Sequence, residues 1–263
     1  MTITIPNDGA LRLAAVDLDE TIVRSDHTIS PRTIELFHRW RNTRGPVVIA
    51  TGRPPRWTRR IPDELHEFPW ICYNGAVAYE YGQEIYRHDI GLETVRDLVA
   101  LFQQEAPGGR LGLEIDDILY INQDLGRPDA QVVEDLLSVA DRPAAKILVA
   151  LEDFQRISGE HAGHFRDVQP LVSEKVSLVQ IMALGASKGR ALSTLVQRWQ
   201  LSMVNVVAFG DDVNDVEMVR DSGWGVAMSN AVPEVKAVAN CITGSNDEDG
   251  VATVLAELLG SGS

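Results

Sequence analysis

Cysteine is nearly absent, with two residues in a chain of 263. Cys72 and Cys241 fall in separate apolar, strand-like segments without metal-ligand spacing, so both are expected to be small buried residues rather than ligands or a disulfide. Long apolar runs are also missing. None approaches the roughly 20 residues that a membrane-spanning helix needs. Met1 to Leu11 has no basic segment followed by an apolar stretch, so no secretory leader is expected and the cytoplasm is the default location. Positive charge is in deficit, with 24 Lys and Arg against 38 Asp and Glu and a net charge of −14. A protein that grips a phosphate backbone presents a basic face, so nucleic acid is not an expected partner. A G-x-x-x-x-G-K-[ST] loop is absent and no G-x-G-x-x-G follows the first strand, which removes the P-loop nucleotide enzymes and the dinucleotide-binding dehydrogenases. None of the six histidines joins a ligand set; His161 and His164, at i and i+3, read as a surface pair.

What remains is an ordinary globular composition, 44% hydrophobic and 24% charged, with neither repeats nor low-complexity segments. The rhythm along the chain is a short apolar run, a turn, then a helical pattern, which predicts an α/β fold around a mainly parallel sheet. Leu11 to Asp17 is the first strand. Ser30-Pro31 opens a helix that Gly45 stops, with Ser as N-cap and Pro in the first turn. Pro46 to Thr51 and Trp70 to Tyr73 are further strands, the latter closed by the turn dipeptide Asn74-Gly75. Between about Tyr79 and Met182 hairpin signals appear at Tyr81-Gly82-Gln83 and Asp116-Asp117, with helices predicted at Leu92 to Gln104 and Gln131 to Ala140. This middle stretch reads as an α+β insertion. From Ser187 the parallel rhythm resumes, through a strand Val204 to Gly210. The organisation expected is a core at 1–80, an inserted cap at 81–184 and the rest of the core at 185–263.

Four short segments carry chemistry, and three lie at the carboxyl ends of predicted core strands, where open parallel sheets bind ligands. Asp17-Leu18-Asp19 places two carboxylates just past a buried strand, a costly arrangement without a cation or proton partner. Thr51-Gly52-Arg53 offers a hydroxyl, an approachable backbone and a cation, and also reads as a plain turn. Ser187-Lys188-Gly189 sets a lysine at a helix N-terminus, against the dipole preference; a fixed anion nearby would justify it, and so would a solvated surface. Gly210-Asp211-Asp212-Val213-Asn214-Asp215 concentrates oxygen donors suited to a hard cation.

In that order, D-x-D, T-G-R, S-K-G and G-D-D-x-N-D resemble the haloacid dehalogenase superfamily. The match is nearest to its Cof-like phosphatases, which carry an α+β cap inserted after the second motif on a Rossmann-like parallel core. Asn74-Gly75-Ala76 and Gly225-Val226-Ala227-Met228-Ser229-Asn230-Ala231 extend the resemblance, which covers about Leu11 to Ala78 and Ala186 to Leu258. It implies a phosphatase for small phosphate monoesters, sugar phosphates or related metabolites, working through an aspartyl-phosphate. Asp17 would be the nucleophile and Asp19 the general acid and base. Thr51 would bond the phosphoryl group, and Lys188 would balance its charge. Mg²⁺ would be held by Asp17, Asp211 and the backbone carbonyl of Asp19. Asn214 and Asp215 would support the metal or orient Lys188. Leu18, Gly52, Arg53, Asn74 and Asn214 are the expected substrate contacts, and Asp17, Asp19, Asp211 and Asp215 the expected metal residues.

One position departs from the family pattern: Glu20 stands where Gly is usual, which is expected to change the shape of the turn after Asp17 rather than to abolish activity. Two alternatives share the motifs, a phosphomutase that returns the phosphoryl group and a metabolite-sensing protein on a degenerate copy of the fold. The expected partner is a small phosphorylated metabolite, with the chain a monomer or small homo-oligomer. In the cap, Glu114, Asp116 and Tyr120 read as solubilising hairpin residues as readily as substrate contacts.

Overall fold

The computed structural model describes residues 10–173 and 177–260; all but the last two residues of the Met1 to Leu11 leader reading lie outside them. The chain divides into two compact units, one running to Tyr86 and resuming at Ser187, the other Arg87–Ala186. The first unit opens with β1 (Leu13–Asp17), α1 (Pro31–Thr43), β2 (Val47–Ala50), α2 (Pro55–Thr58), β3 (Trp70–Cys72), β4 (Val77–Glu80) and β5 (Gln83–Arg87). The second holds α3 (Leu92–Glu105), β6 (Leu111–Ile115), β7 (Ile118–Ile121), β8 (Ala130–Val132), β9 (Lys146–Ala150), α4 (Leu151–Glu160), β10 (Val168–Ser173) and β11 (Leu178–Ala183). The first unit then closes with α5 (Lys188–Arg198), β12 (Val206–Gly210), α6 (Val216–Asp221), β13 (Trp224–Ala227), α7 (Pro233–Val238), β14 (Cys241–Ile242) and α8 (Gly250–Gly260).

Among the described residues the core sheet has eight strands in the order β14-β13-β12-β1-β2-β3-β4-β5. From β14 through β3 every pairing is parallel, and β3–β4 is antiparallel. Parallel strands are buried on both faces, which is why β1, β2 and β12 are apolar almost without alternation. On one face Leu13, Ala15, Val48, Ala50 and Ala208 meet Ala191, Leu192, Leu195 and Val196, the helical stripe of α5. The alternate side chains Ala14, Val16, Val47, Ile49, Val207 and Phe209 are just as buried, and α1 packs on both α8 and β2. Ser30 caps α1 by accepting from the Thr33 N–H at 3.2 Å, with Pro31 in the first turn.

Among its described residues, the unit Arg87–Ala186 is built on a six-stranded sheet, β10-β11-β9-β6-β7-β8, mostly antiparallel. Asp116 and Asp117, at φ 49° and 63°, make the tight β6–β7 hairpin. Here the structure corrects two readings. The helix expected over Gln131 to Ala140 is instead β8 and a single 3₁₀ turn, Leu136–Ser138. Val132 pairs with Ile121 on β7, and the Asp135 side chain accepts from the Leu137 N–H at 2.9 Å, so β-branched pairing and a local cap outcompete helix propagation. The Tyr81-Gly82 turn, at φ 49° and 75°, sits in the core sheet rather than in the insertion. The first boundary therefore falls after Tyr86 and not at 81.

Gly75 sets how closely α5 approaches the sheet. It has φ 99°, and a Cβ there would stand 2.1 Å from the Ser187 carbonyl oxygen. Gly75→Ala combines a disallowed left-handed conformation with a backbone collision, and is expected to lower unfolding free energy by about 2–4 kcal/mol. Chemical denaturation followed by circular dichroism would measure the loss; a change within error would mean that α5 shifts freely.

Candidate active site

All four chemical segments end on the same edge of the core sheet, because β1, β2 and β12 are parallel neighbours and their carboxyl ends coincide. Asp17 ends β1 in register with Ala50 on β2, immediately before Thr51. Phe209 is in register with Val16, immediately before Gly210 and Asp211. Lys188, the first residue of α5, completes the group. Ser187 caps that helix by accepting from the Arg190 N–H at 3.0 Å, and Gly75 lets the helix start lie against the turn after β3.

Lys188 is the centre of the arrangement. Its ammonium, 1% exposed, donates to Asp17 Oδ1 and, at 2.7 Å, to Asp215 Oδ1. Asp215 Oδ2 accepts from the N–H groups of Asp211 at 3.0 Å and Asp212 at 3.1 Å, so both its oxygens are engaged. Gly210 makes room for that carboxylate, since a Cβ would sit 2.4 Å from the Asp215 Cβ. Asp211 Oδ1 accepts from the Thr21 hydroxyl at 2.7 Å. Asp17, Asp211 and Asp215 are all buried and offer oxygens within 4.8 Å of one another.

Three carboxylates against one ammonium leave an excess of negative charge, and the titration behaviour reflects it. Burial pushes the Asp17 carboxyl well above its usual range, Asp215 adds repulsion, and Lys188 only partly offsets both. Burial likewise drives Asp211 up to about 7, with Asp215 and Glu20 adding to the rise while the Thr21 hydroxyl and Lys188 oppose it. Burial works to lower the Lys188 ammonium, but Asp17 and Asp215 outweigh it and hold the proton on. An all-oxygen donor set with two unbalanced negative charges fits a hard divalent cation such as Mg²⁺, not a softer metal.

The remaining expected residues divide between the site and its supports. Asp19 is half-exposed and forms a forked ion pair with Arg53, whose Nε lies 3.0 Å from Asp19 Oδ2. Its carboxylate is not in the three-acid cluster, so only its backbone carbonyl remains for a metal. Thr51 is fully buried; its hydroxyl oxygen accepts from the Arg53 N–H at 3.1 Å, leaving the hydroxyl proton to donate. Asn74 Oδ1 accepts from Asn214 Nδ2 at 2.9 Å, and a Cβ on Gly52 would press on the same Asn74 oxygen at 2.8 Å. Asn214 Oδ1 is buried with no hydrogen-bond partner. The Leu18 side chain is wholly buried and its carbonyl is taken by Ile22 and Val23, so only its N–H remains for a ligand.

Sequence reasoning missed two features. Thr21 lies outside the four segments and the expected site, although its hydroxyl holds Asp211; a β-branched hydroxyl residue two positions after Asp19 was the available signal. In the other unit, Glu114 is buried beside Lys146, its register partner on β9, and not a solubilising edge residue, because β6 lies inside the sheet. Cys72 is buried as expected, whereas Cys241 is only half-buried, and its thiol is pushed up to about 11 by that burial and by Glu257.

Comparison with known proteins agrees with this geometry. Residues 14–255 match the family of haloacid dehalogenase-like hydrolases. The 5-amino-6-(5-phospho-D-ribitylamino)uracil phosphatase YitU of Bacillus subtilis is 28% identical, over 93% of this chain and 96% of its own. The pyridoxal phosphate phosphatase YbhA of Escherichia coli is 29% identical, over 92% and 96%. A solved haloacid dehalogenase-like hydrolase from Bacteroides thetaiotaomicron superposes with a TM-score of 0.82 at 26% identity, covering 94% of this chain and 99% of the other. The chain belongs to the haloacid dehalogenase-like hydrolases. Within that family it is a phosphatase enzyme. No helix among the described residues is long and apolar enough to cross a membrane.

Asp211 has a folded-state value near 7 against an ordinary 3.8, so the unfolded chain loses that proton first as pH rises. Its contribution to stability is full below the ordinary value and is lost as pH climbs through about 7; the raised Asp17 acts in the same direction. Chelator-treated protein is therefore expected to melt several degrees lower at about pH 8 than at about pH 5, and Mg²⁺ to restore more stability at the higher pH. Thermal melts with and without Mg²⁺ check both signs, and a flat or inverted profile would contradict the electrostatics described.

Proposed function

We propose that this chain is a Mg²⁺-dependent phosphatase that hydrolyses small phosphate monoesters, sugar phosphates or related metabolites, in the cytoplasm, with Asp17 as the nucleophile. The observation that carries the reading is the buried Lys188 shared by Asp17 and Asp215 beside Asp211. A binding protein has no use for a nucleophilic carboxylate held at one oxygen, a half-exposed second acid and a buried excess of charge. The relatives named for a phosphoribityl compound and for pyridoxal phosphate are consistent with a small phosphorylated metabolite.

Asp17 Oδ1 is the oxygen bonded to Lys188, which leaves Oδ2 to attack phosphorus in line with the leaving oxygen. As the new bond to Asp17 forms and the ester P–O bond breaks, Asp19 gives its proton to the leaving oxygen. Asp19 then takes a proton from water, the water oxygen bonds to phosphorus, and the bond to Asp17 breaks to release inorganic phosphate. Asp19 is paired with Arg53 as a carboxylate in the structure; when a phosphoryl oxygen takes over the guanidinium, the released carboxylate takes up a proton from solvent, and that proton is the one passed to the leaving oxygen. Thr51 donates its hydroxyl proton to the phosphoryl group, and Lys188 balances its charge. Asp215 acts by holding Lys188 and the Asp211–Asp212 backbone, since both of its oxygens are committed. Mg²⁺, held by Asp17, Asp211 and the Asp19 carbonyl, would supply positive charge against that developing on the phosphoryl oxygens. Asn74, Asn214, Gly52 and the Leu18 N–H line the approach to the same edge.

Phosphate release from a panel of phosphorylated metabolites tests this, with and without Mg²⁺, for wild type and Asp17→Asn. Steady Mg²⁺-dependent release is expected, with a fall of about 10³-fold or more in kcat for the variant. Release of no more than one equivalent would favour a phosphomutase. Binding without any release would favour a metabolite sensor.

A further inference from the structure

The unit Arg87–Ala186 contains a cavity of about 350 Å³, lined wholly by its own residues. That volume lies at the small end of the range for ligand pockets, which combine an apolar wall with a few polar groups. Here Phe102, Leu111 and Val149 give the apolar wall, and Arg110, Glu134 and Gln103 stand among the polar groups.

Two opposite charges share this cavity without meeting. Among the described residues, neither the Arg110 guanidinium nor the Glu134 carboxylate has an ion pair or a hydrogen bond, although both line the same space. Each is carried on backbone that is pinned in place. Arg110 lies in the turn between α3 and β6, where Asn122 accepts from the Leu111 N–H at 3.0 Å and donates to the Gly109 carbonyl at 2.7 Å. Gln123 donates to the Gly108 carbonyl in the same turn. Gly109 lets α4 lie against it, since a Cβ there would stand 2.7 Å from Asp153 Oδ2. Glu134 follows β8 and is held on both sides. The Val133 N–H donates to the Ile121 carbonyl at 2.9 Å, and Asp135 Oδ1 accepts from Gln103 Nε2 at 3.1 Å.

Gln103 adds an acceptor. Its Nε2 is committed to Asp135, which sets the amide orientation and leaves Oε1 withdrawn from water without a partner. A ligand N–H beside that oxygen would relieve the cost of leaving it unmet. The other acid on the wall, Asp153, is already paired with Arg156 at 3.2 Å. The uncommitted set is therefore one cation, one anion and one acceptor around an apolar wall. A purely anionic ligand would be repelled by Glu134, and a purely cationic one by Arg110; a zwitterion satisfies both.

We propose that this cavity binds a small zwitterionic metabolite of the free amino-acid type, with an apolar side chain. Its carboxylate pairs with Arg110, its ammonium with Glu134 and Gln103 Oε1, and its side chain covers Phe102, Leu111 and Val149. The site draws on neither Asp17, Lys188 nor a metal ion, so its test is independent of the phosphatase mechanism.

NMR titration of isotope-labelled protein with L-leucine, L-methionine and L-phenylalanine reads binding without turnover. At least one is expected to bind saturably, with a dissociation constant of about 0.1–1 mM for a ligand of so few atoms, and to shift the amides of residues 103–111 and 134. Two analogues of the best binder, the amine lacking its carboxylate and the acid lacking its ammonium, should each bind about three- to tenfold more weakly. Arg110→Gln and Glu134→Gln, both at exposed positions, should weaken the amino acid by a similar factor. The analogues are compared on the unaltered protein, so that result does not depend on how the variants fold. No saturable binding of any of the three up to about 20 mM, far above the expected range, would overturn the inference. So would analogues that bind as tightly as the amino acid, or affinity that neither variant lowers.

Discussion

The active edge of this protein depends on one buried ammonium. Lys188 stands at the start of α5, out of water, between Asp17 and Asp215. Removing three charges from water is expensive, and mutual attraction repays the cost only if geometry is held closely and the remaining lone pairs are satisfied. The surrounding structure meets that condition piece by piece. Ser187 caps the helix that begins with Lys188, and the backbone N–H groups of Asp211 and Asp212 occupy the far oxygen of Asp215. Two glycines, Gly75 and Gly210, remove the Cβ atoms that would keep these elements apart. The apolar stripe of α5 against β1, β2 and β12 supplies the burial that makes the helix position non-negotiable.

The parallel sheet converts this local constraint into a site. Parallel neighbours end at the same edge, so residues just past β1, β2 and β12 meet although they are far apart in sequence: Thr21 bonds Asp211 across 190 positions and Lys188 bonds Asp17 across 171. The cost of gathering acids there appears in the raised values of Asp17 and Asp211. The same excess of charge is what a divalent cation would relieve, so an unfavourable feature of the bare fold is a favourable one for binding. This also accounts for how a chain of net charge −14 handles an anionic ester under the proposed mechanism: cationic groups are few but placed, Lys188 and Arg53 both standing at the site.

Several features were legible without coordinates because each rests on short-range physics. The caps Ser30 and Ser187, the turn dipeptides Asn74-Gly75 and Asp116-Asp117, and the buried character of the core strands follow from local donors, allowed φ values and apolar runs. The four segments stood out because acids, hydroxyls and a lysine at element ends are individually unfavourable unless something joins them. Reading failed where distant partners decide the outcome. Gln131 to Ala140 has a plausible helical pattern, but Val132 finds Ile121 on a neighbouring strand. Glu114 looks like a solubilising residue until its register places it opposite Lys146 in the interior of a sheet. Tyr81-Gly82 reads as a turn either way, and only sheet order assigns it to the core.

By itself, then, the sequence determined the α/β rhythm, the insertion in its middle and the identity of the residues that carry charge at strand ends, because propensity, capping and burial act within a few positions. Which carboxylates share Lys188, which acid Arg53 holds, how Asn74 meets Asn214 and how far Asp17 and Asp211 are shifted were decided only by the tertiary structure. Those quantities depend on distances of a few ångströms between segments that touch only once the sheet has formed, and on the exclusion of water that the packed fold alone provides.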